Sequence, residues 1–289
     1  MAERYALPEK DPKTALREGV LHALRAVPMH FNSSINIEGL SATDLFAMNT
    51  LLGGAIEEKT VATLNDARSI WDPNGRYADC EFRRYAESFP DVRLEREGDE
   101  QPIIGIELKG WYLLAKEKEP SFRFKAAASA MTIWDLIAVF PWSLSNVISG
   151  TPILSPPFIE QAKYVADLRT EYWEGRSPTA QPVEHPDTHP YPEPGSSYCD
   201  IVHDDSGSNF GRIARVKDLM KDWVEESMRT PLSGIDARWW VEFLKMFDER
   251  GDEEAIRHRL EQLAKKTGHD SVWAEQVVDH VKGLLEISI

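Results

Sequence analysis

The stretch SFPDVRLEREGDEQPIIGIELKGWYLLA, residues 88–115, constrains the fold more than any other part of the chain. Asp91 opens a segment in which Val92 and Leu94 alternate with charged residues. Gly98-Asp99-Glu100 makes a polar turn that Gln101-Pro102 ends, and an apolar run follows from Ile103 to Leu114. This is the pattern of two antiparallel strands. In a strand, residues i and i+2 share a face, so Glu107 and Lys109 point one way and Leu108 points the other way, into a core. Glu107 and Lys109 stand among Ile104, Ile106, Leu108, Trp111 and Leu113. Charges on so apolar a strand need partners or a metal ion.

Read together, Pro90-Asp91 and Glu107-Leu108-Lys109 resemble the PD-(D/E)XK nuclease superfamily, to which many type II restriction endonucleases belong. The order of elements adds to the resemblance. A helix carrying Glu57 and Glu58 precedes the pair, and another apolar strand (Trp134-Asp135-Leu136-Ile137-Ala138-Val139-Phe140) follows it. The likeness spans roughly residues 40–175 and implies an α/β fold: a restriction-endonuclease-like core with a central mixed sheet of about four to six strands flanked by helices. It implies helix, Pro-Asp strand, Glu-x-Lys strand, then a helix and a further strand.

The same resemblance implies a Mg²⁺-dependent endonuclease that hydrolyses DNA phosphodiester bonds, with Mn²⁺ as a substitute ion. Asp91 and Glu107 would hold the ion, with the backbone carbonyl of Leu108 as an added ligand. Lys109 would orient a water or stabilise transition-state charge. Glu57, which shares its stripe with Gly53, Val61 and Leu64, would supply a further acid, in preference to Glu58 about 100° round the helix. A sequence-specific, restriction-like enzyme would cut double-stranded DNA as a two-fold homodimer. Two alternatives stay open: a nuclease of the same superfamily acting in repair, in defence or on RNA, and a non-enzymatic binding or assembly module.

Composition bounds these readings. The chain has 289 residues, 42% of them hydrophobic, with nine Trp, enough for a substantial core. A formal charge of −15 argues against a nucleic-acid partner, because phosphate contacts draw on a basic face. A local basic groove is still compatible with it, since salt screens charges beyond about 8–10 Å. Ser121-Phe122-Arg123-Phe124-Lys125 interleaves cations with aromatics and is the candidate DNA-contacting segment through Arg123 and Lys125; snorkelling cations at a strand end explain it equally well. Two cysteines (Cys80, Cys199) fit a reducing cytoplasm, and neither a secretory signal nor a membrane span is expected. The phosphate-binding Gly-rich loop, the dinucleotide fingerprint and the serine-hydrolase elbow are not found.

Along the chain, helical spacing of Leu16, Val20, Leu21 and Leu24 predicts a helix over 12–26, stopped by Pro28. A second helix is expected from Ser41 to about 68, weakened at Gly53-Gly54. Residues 80–89 read as a strand or a short helix, 133–142 as a strand buried on both faces, and 158–174 as a helix. Residues 1–175 would form the nuclease-like core with its N-terminal helix. Residues 176–211, rich in Pro, Gly, Ser and His, read as an extended surface segment, and 212–289 as a helical extension or subdomain with helices near 214–229, 236–250, 252–267 and 271–286. Within the extended segment, His185, His189, Cys199 and His203 have spacing that a zinc site could use, although a plain polar loop accounts for it.

Overall fold

The computed structural model describes residues 2–38, 52–86, 88–99, 101–176, 182–203, 205 and 209–245, with isolated positions beyond. The expected helix start at Ser41 and the helices at 252–267 and 271–286 lie outside the described residues, apart from those isolated positions.

Helix α1 runs Pro12–His30. The Asp11 side chain accepts a hydrogen bond from the Lys13 amide at 2.8 Å, and Pro12 sits in the first turn, where a missing N–H costs nothing. Pro28 does not stop the helix as expected: it lies in the last turn, where it removes one bond, and the helix ends at His30, before the extended Phe31. Helix α2 is Gly53–Asp66, and α3 is the single turn Arg68–Trp71. Trp71 donates its indole N–H to the Leu64 carbonyl at 2.6 Å. A Cβ on Gly19 would stand 2.5 Å from the Trp71 Cα, so glycine is what lets α1 reach α3.

The sheet contains β1 Cys80–Arg84, β2 Val92–Arg96, β3 Ile104–Tyr112, β4 Leu136–Leu144, β5 Pro152–Leu154 and β6 Phe158–Gln161. Its order is β1-β2-β3-β4-β5, with β6 also pairing with β4. Only β3 and β4 are parallel, so the sheet is mixed and the protein is α/β. Every residue of β4 is buried, as suits a central strand covered on both faces. Residues 80–84 resolve as a strand because they pair fully with β2, Phe82 opposite Leu94.

One face of the sheet receives α2 and α3. Trp71 meets Phe82 edge-on at 5.2 Å, Asn65 bonds both the amide and the carbonyl of Phe82, and Ile56 fills the space over Gly110. Helix α4, Ala162–Gly175, lies against the β3–β4 connection, where Lys163 donates to the Ala128 and Met131 carbonyls.

Three expectations change here. The β3–β4 connection holds no α-helix, only the 3-10 turn Ala128–Ala130, with α4 lying alongside it. Phe158–Gln161 is not the start of a helix but β6, because pairing with Leu136–Val139 satisfies its backbone. The span 214–229 is helical only as a turn at Ile213–Arg215 and as α5, Lys221–Ser227. A two-stranded hairpin follows, β7 Pro231–Leu232 and β8 Ile235–Asp236, and then α6 Ala237–Leu244. Ile213, Met220, Met228, Val241 and Leu244 join the main core, so residues 213–244 wrap on the sheet domain.

Residues 182–203, read as an extended surface segment, are bonded into the protein. Cys199 bridges Ala126, Ile201 bridges Glu184, and Val183, Tyr191 and Asp200 are buried.

A candidate metal and active centre on strands β2 and β3

The β2–β3 register pairs Val92 with Ile106 and Arg93 with Gly105. Continued one step, it sets Asp91 across from Glu107, on the face that Lys109 shares. The contacts follow that placement. Lys109 Nζ lies 2.6 Å from Glu107 Oε1 and 3.9 Å from Asp91 Oδ2, and the Leu108 amide donates to Asp91 Oδ2 at 2.7 Å. Leu108 itself is buried in the core on the other face.

The loop that carries Asp91 is braced from several sides. Arg93 donates to the Phe89 carbonyl at 2.8 Å while its guanidinium stacks 4.2 Å from the Tyr85 ring. The Tyr85 amide bonds the Asp91 carbonyl at 2.8 Å, extending the β1–β2 ladder. Gly105 is required for close approach: a Cβ there would come within 2.4 Å of the Pro90 ring.

Two acids and one ammonium in a mostly buried site leave an excess of negative charge. Burial, followed by the Glu107 carboxylate, pushes Asp91 up to about 8. Burial opposes the Lys109 ammonium as well, yet Glu107 and Asp91 outweigh it and hold Lys109 above its ordinary value. Glu107 is 8% exposed, and its Oε2 is buried without a hydrogen-bond partner. A buried acceptor left unsatisfied costs about 1–3 kcal/mol, more when charged.

That orphaned oxygen is what tests the fit to a metal ion. Hard carboxylate oxygens are the right donors for Mg²⁺, which uses one or two carboxylates and keeps several waters. Among the described residues, no group of three or more His, Cys, Asp or Glu side chains is assembled to hold a metal. Two carboxylates would match only an ion that kept most of its waters.

The other expected residues fall as follows. Glu57 is half-buried and bonds Arg84 Nε at 2.8 Å, whereas Glu58 is exposed; the Glu57 charge acts on both Asp91 and Lys109, as the weakest of the influences on each. Arg123 is exposed, and Lys125 lies 3.5 Å from Asp205 and 5.9 Å from the Phe210 ring. Among the described residues, no hydrogen bond or ion pair joins either cation to Asp91, Glu107 or Lys109. The four zinc-spaced residues do not gather. His185 bonds Asp200, His203 bonds Glu184, His189 bonds the Pro190 carbonyl, and burial raises the Cys199 thiol.

Sequence reasoning missed the residues that border this centre from afar. Tyr198 stacks on Phe89 at 5.6 Å, and burial and then the charges of Cys199, Glu107 and Asp91 raise its hydroxyl pKa. The Glu107 charge likewise reaches Cys199. Asp135 accepts from the Gly105 amide, the Thr132 amide and the Tyr191 hydroxyl, tying β3, β4 and the 182–203 segment together. The signal that could have found it was Asp135 itself, an acid inside an apolar strand. No family model matches the chain, and no curated protein is significantly similar to it.

Proposed function

We propose that this protein is a Mg²⁺-dependent nuclease of the PD-(D/E)XK type that hydrolyses DNA phosphodiester bonds. The observation that carries the reading is the Asp91–Glu107 pair on one sheet face beside Lys109, with Glu107 Oε2 lacking a partner. The succession α2, β1, β2, β3, β4, with β3 parallel to β4, supports it; the missing crossover helix departs from the superfamily's order.

Asp91 and Glu107 would hold the ion, with the Leu108 carbonyl as a third donor by resemblance. A divalent ion bound there supplies Lewis acidity toward phosphate and water. Lys109 holds its proton firmly, so it serves as a fixed positive charge that orients water or a phosphate oxygen rather than as a base. Glu57 acts on the site through its charge. Cleavage of both strands of a specific double-stranded sequence calls for two copies related by a two-fold axis. Among the described residues, no helix is long and apolar enough to cross a membrane.

The net charge of −15 and the Lys109–Glu107 bond favour one second reading, a binding or assembly module with a self-neutralising hairpin. Incubation with unmethylated plasmid and phage DNA plus Mg²⁺, parent against Glu107→Ala, tests the first. Discrete fragments from the parent alone would support a sequence-specific endonuclease, and smearing would support cleavage without that specificity. No cleavage, together with no Mg²⁺ or Mn²⁺ binding, would favour the module.

A further inference from the structure

A cavity of about 150 Å³ lies between α4 and residues 209–216, and four arginines line it: Arg169, Arg176, Arg212 and Arg215. Liquid water occupies ~30 Å³ per molecule, so the space suits a group of several heavy atoms. Two of the four cations have acidic partners: Arg169 pairs with Asp200, and Arg215 Nε lies 2.7 Å from Glu119. Arg176 has only an aromatic one, its guanidinium stacked 3.4 Å from the Trp173 ring centre. Arg212 makes no side-chain hydrogen bond or ion pair among the described residues, although its Nε is buried. Arg169 is 2% exposed, and its Nε too is buried without a partner. A chain carrying −15 overall thus concentrates two guanidinium groups without ion-pair partners around one small cavity, with Glu171 and Asp218, and the cations Arg4 and Lys217, on the walls of the space beside it.

Guanidinium forks match the geometry of phosphate oxygens, and buried N–H groups gain most from a charged acceptor. A second cavity, of about 400 Å³, adjoins the first and shares Tyr172, Arg176 and Val216 with it; Tyr164 and Leu168 give it an aromatic and apolar side. We propose that the paired cavities bind a phosphate ester, its phosphate between the Arg176 and Arg212 guanidinium groups, and its organic part in the larger space. The Gly211 carbonyl accepts from the Phe124 amide at 2.8 Å, so the cavity adjoins the Arg123–Lys125 segment. A free nucleotide and a nucleotide unit of a nucleic-acid strand are the two sources of such an ester that the test distinguishes. The site stands apart from Asp91 and Glu107 and does not depend on the nuclease reading.

Calorimetric titration of the full chain in EDTA, which leaves the Asp91–Glu107 pair without metal, tests it. The probes are inorganic phosphate, AMP and a short 5′-phosphorylated deoxyoligonucleotide. Arg212→Gln and the exposed Arg176→Gln should each weaken binding of the ester probes about tenfold, the loss expected for one charge-assisted bond. AMP binding as tightly as the oligonucleotide supports the site with a free nucleotide as ligand; binding of the oligonucleotide alone supports it with a strand. Absence of binding by all three probes to the parent, or unchanged affinity in both variants, overturns the proposal.

Discussion

Asp135 and Asp200 are buried acids whose surroundings answer them; the half-buried Asp91 and the buried Glu107 form a pair whose surroundings do not. Asp135 takes three donors at 2.6–2.7 Å from the backbone and Tyr191. Asp200 is held between Arg169 and His185, and Arg169 also caps the Phe124 carbonyl at 2.7 Å. At the β2–β3 centre, by contrast, two carboxylates share one lysine and one backbone amide, and a carboxylate oxygen is left over. Satisfied buried charge holds a structure together; unsatisfied buried charge is a reason to expect a ligand. The difference separates the structural acids of this protein from its candidate functional ones better than burial alone.

The contrast breaks most severely at the satisfied centre. Arg169→Ala leaves Asp200 buried without its main partner and should cost ~3–5 kcal/mol, read as a fall in unfolding temperature that Mg²⁺ does not rescue. At the unsatisfied centre the losses should be of function. Asp91→Ala and Glu107→Ala should keep the fold and lower DNA cleavage by more than about a hundredfold, whereas Lys109→Ala should lose turnover but retain Mg²⁺-dependent DNA binding. Activity equal to the parent in the two acid variants would remove the functional half of the comparison.

Gly105→Ala lies between the two centres, since its new Cβ would press on Pro90 and on Asp135 Oδ1. It should destabilise by ~1–3 kcal/mol and displace Asp91, so metal affinity should fall together with unfolding temperature.

In pH dependence the two acids are alike in sign, since burial raises Asp135, despite its three donors, as it raises Asp91. Asp91 is held up to about 8, against an ordinary value of about 3.9 in an unfolded chain. The folded protein thus binds this proton more tightly than the unfolded chain does. The stability this contributes is complete below about pH 4 and is lost as pH rises through about 8. Metal-free protein should therefore melt at a lower temperature at about pH 8 than at pH 5, with the Mg²⁺ increment largest at the upper end; Asp91→Asn should reduce the melting trend to the part that Asp135 contributes and remove the pH dependence of the Mg²⁺ increment. A parent whose metal-free melting is level across that range would show that Asp91 is solvated after all. The smallest effect belongs to Arg84→Ala, which frees Glu57 from a partly exposed pair and should cost ~0.2–1 kcal/mol in a chemical denaturation curve.

The legible parts of the molecule share a property: their signal lies within a few residues. The run from Ile103 to Leu114 shows both its strand period and its misplaced charges, and Gly98-Asp99 marks the turn, so the Asp91–Glu107 juxtaposition can be read from the residues alone. Phe158–Gln161 fails for the opposite reason. Its pattern suits the first turn of a helix, and only pairing with β4 makes it a strand. Residues 182–203 have the composition of a loop, yet Tyr191, Tyr198 and Asp200 are positioned by Asp135, Phe89 and Arg169, none of them close in sequence.

By itself, the sequence determined that Glu107 and Lys109 share a strand face with Leu108 opposed, because the two-residue period of a strand is local and unaffected by what packs later. It also determined that an antiparallel neighbour beginning at Asp91 would bring a second carboxylate there. Only the tertiary structure decided which buried charges are answered. The donors that satisfy Asp135 from Gly105 and Tyr191 stand 30 and 56 positions away, while Glu107 Oε2 receives none. Compensation of charge depends on distances in space, and chain spacing does not encode those until the sheet, α4 and the 182–203 segment have packed together.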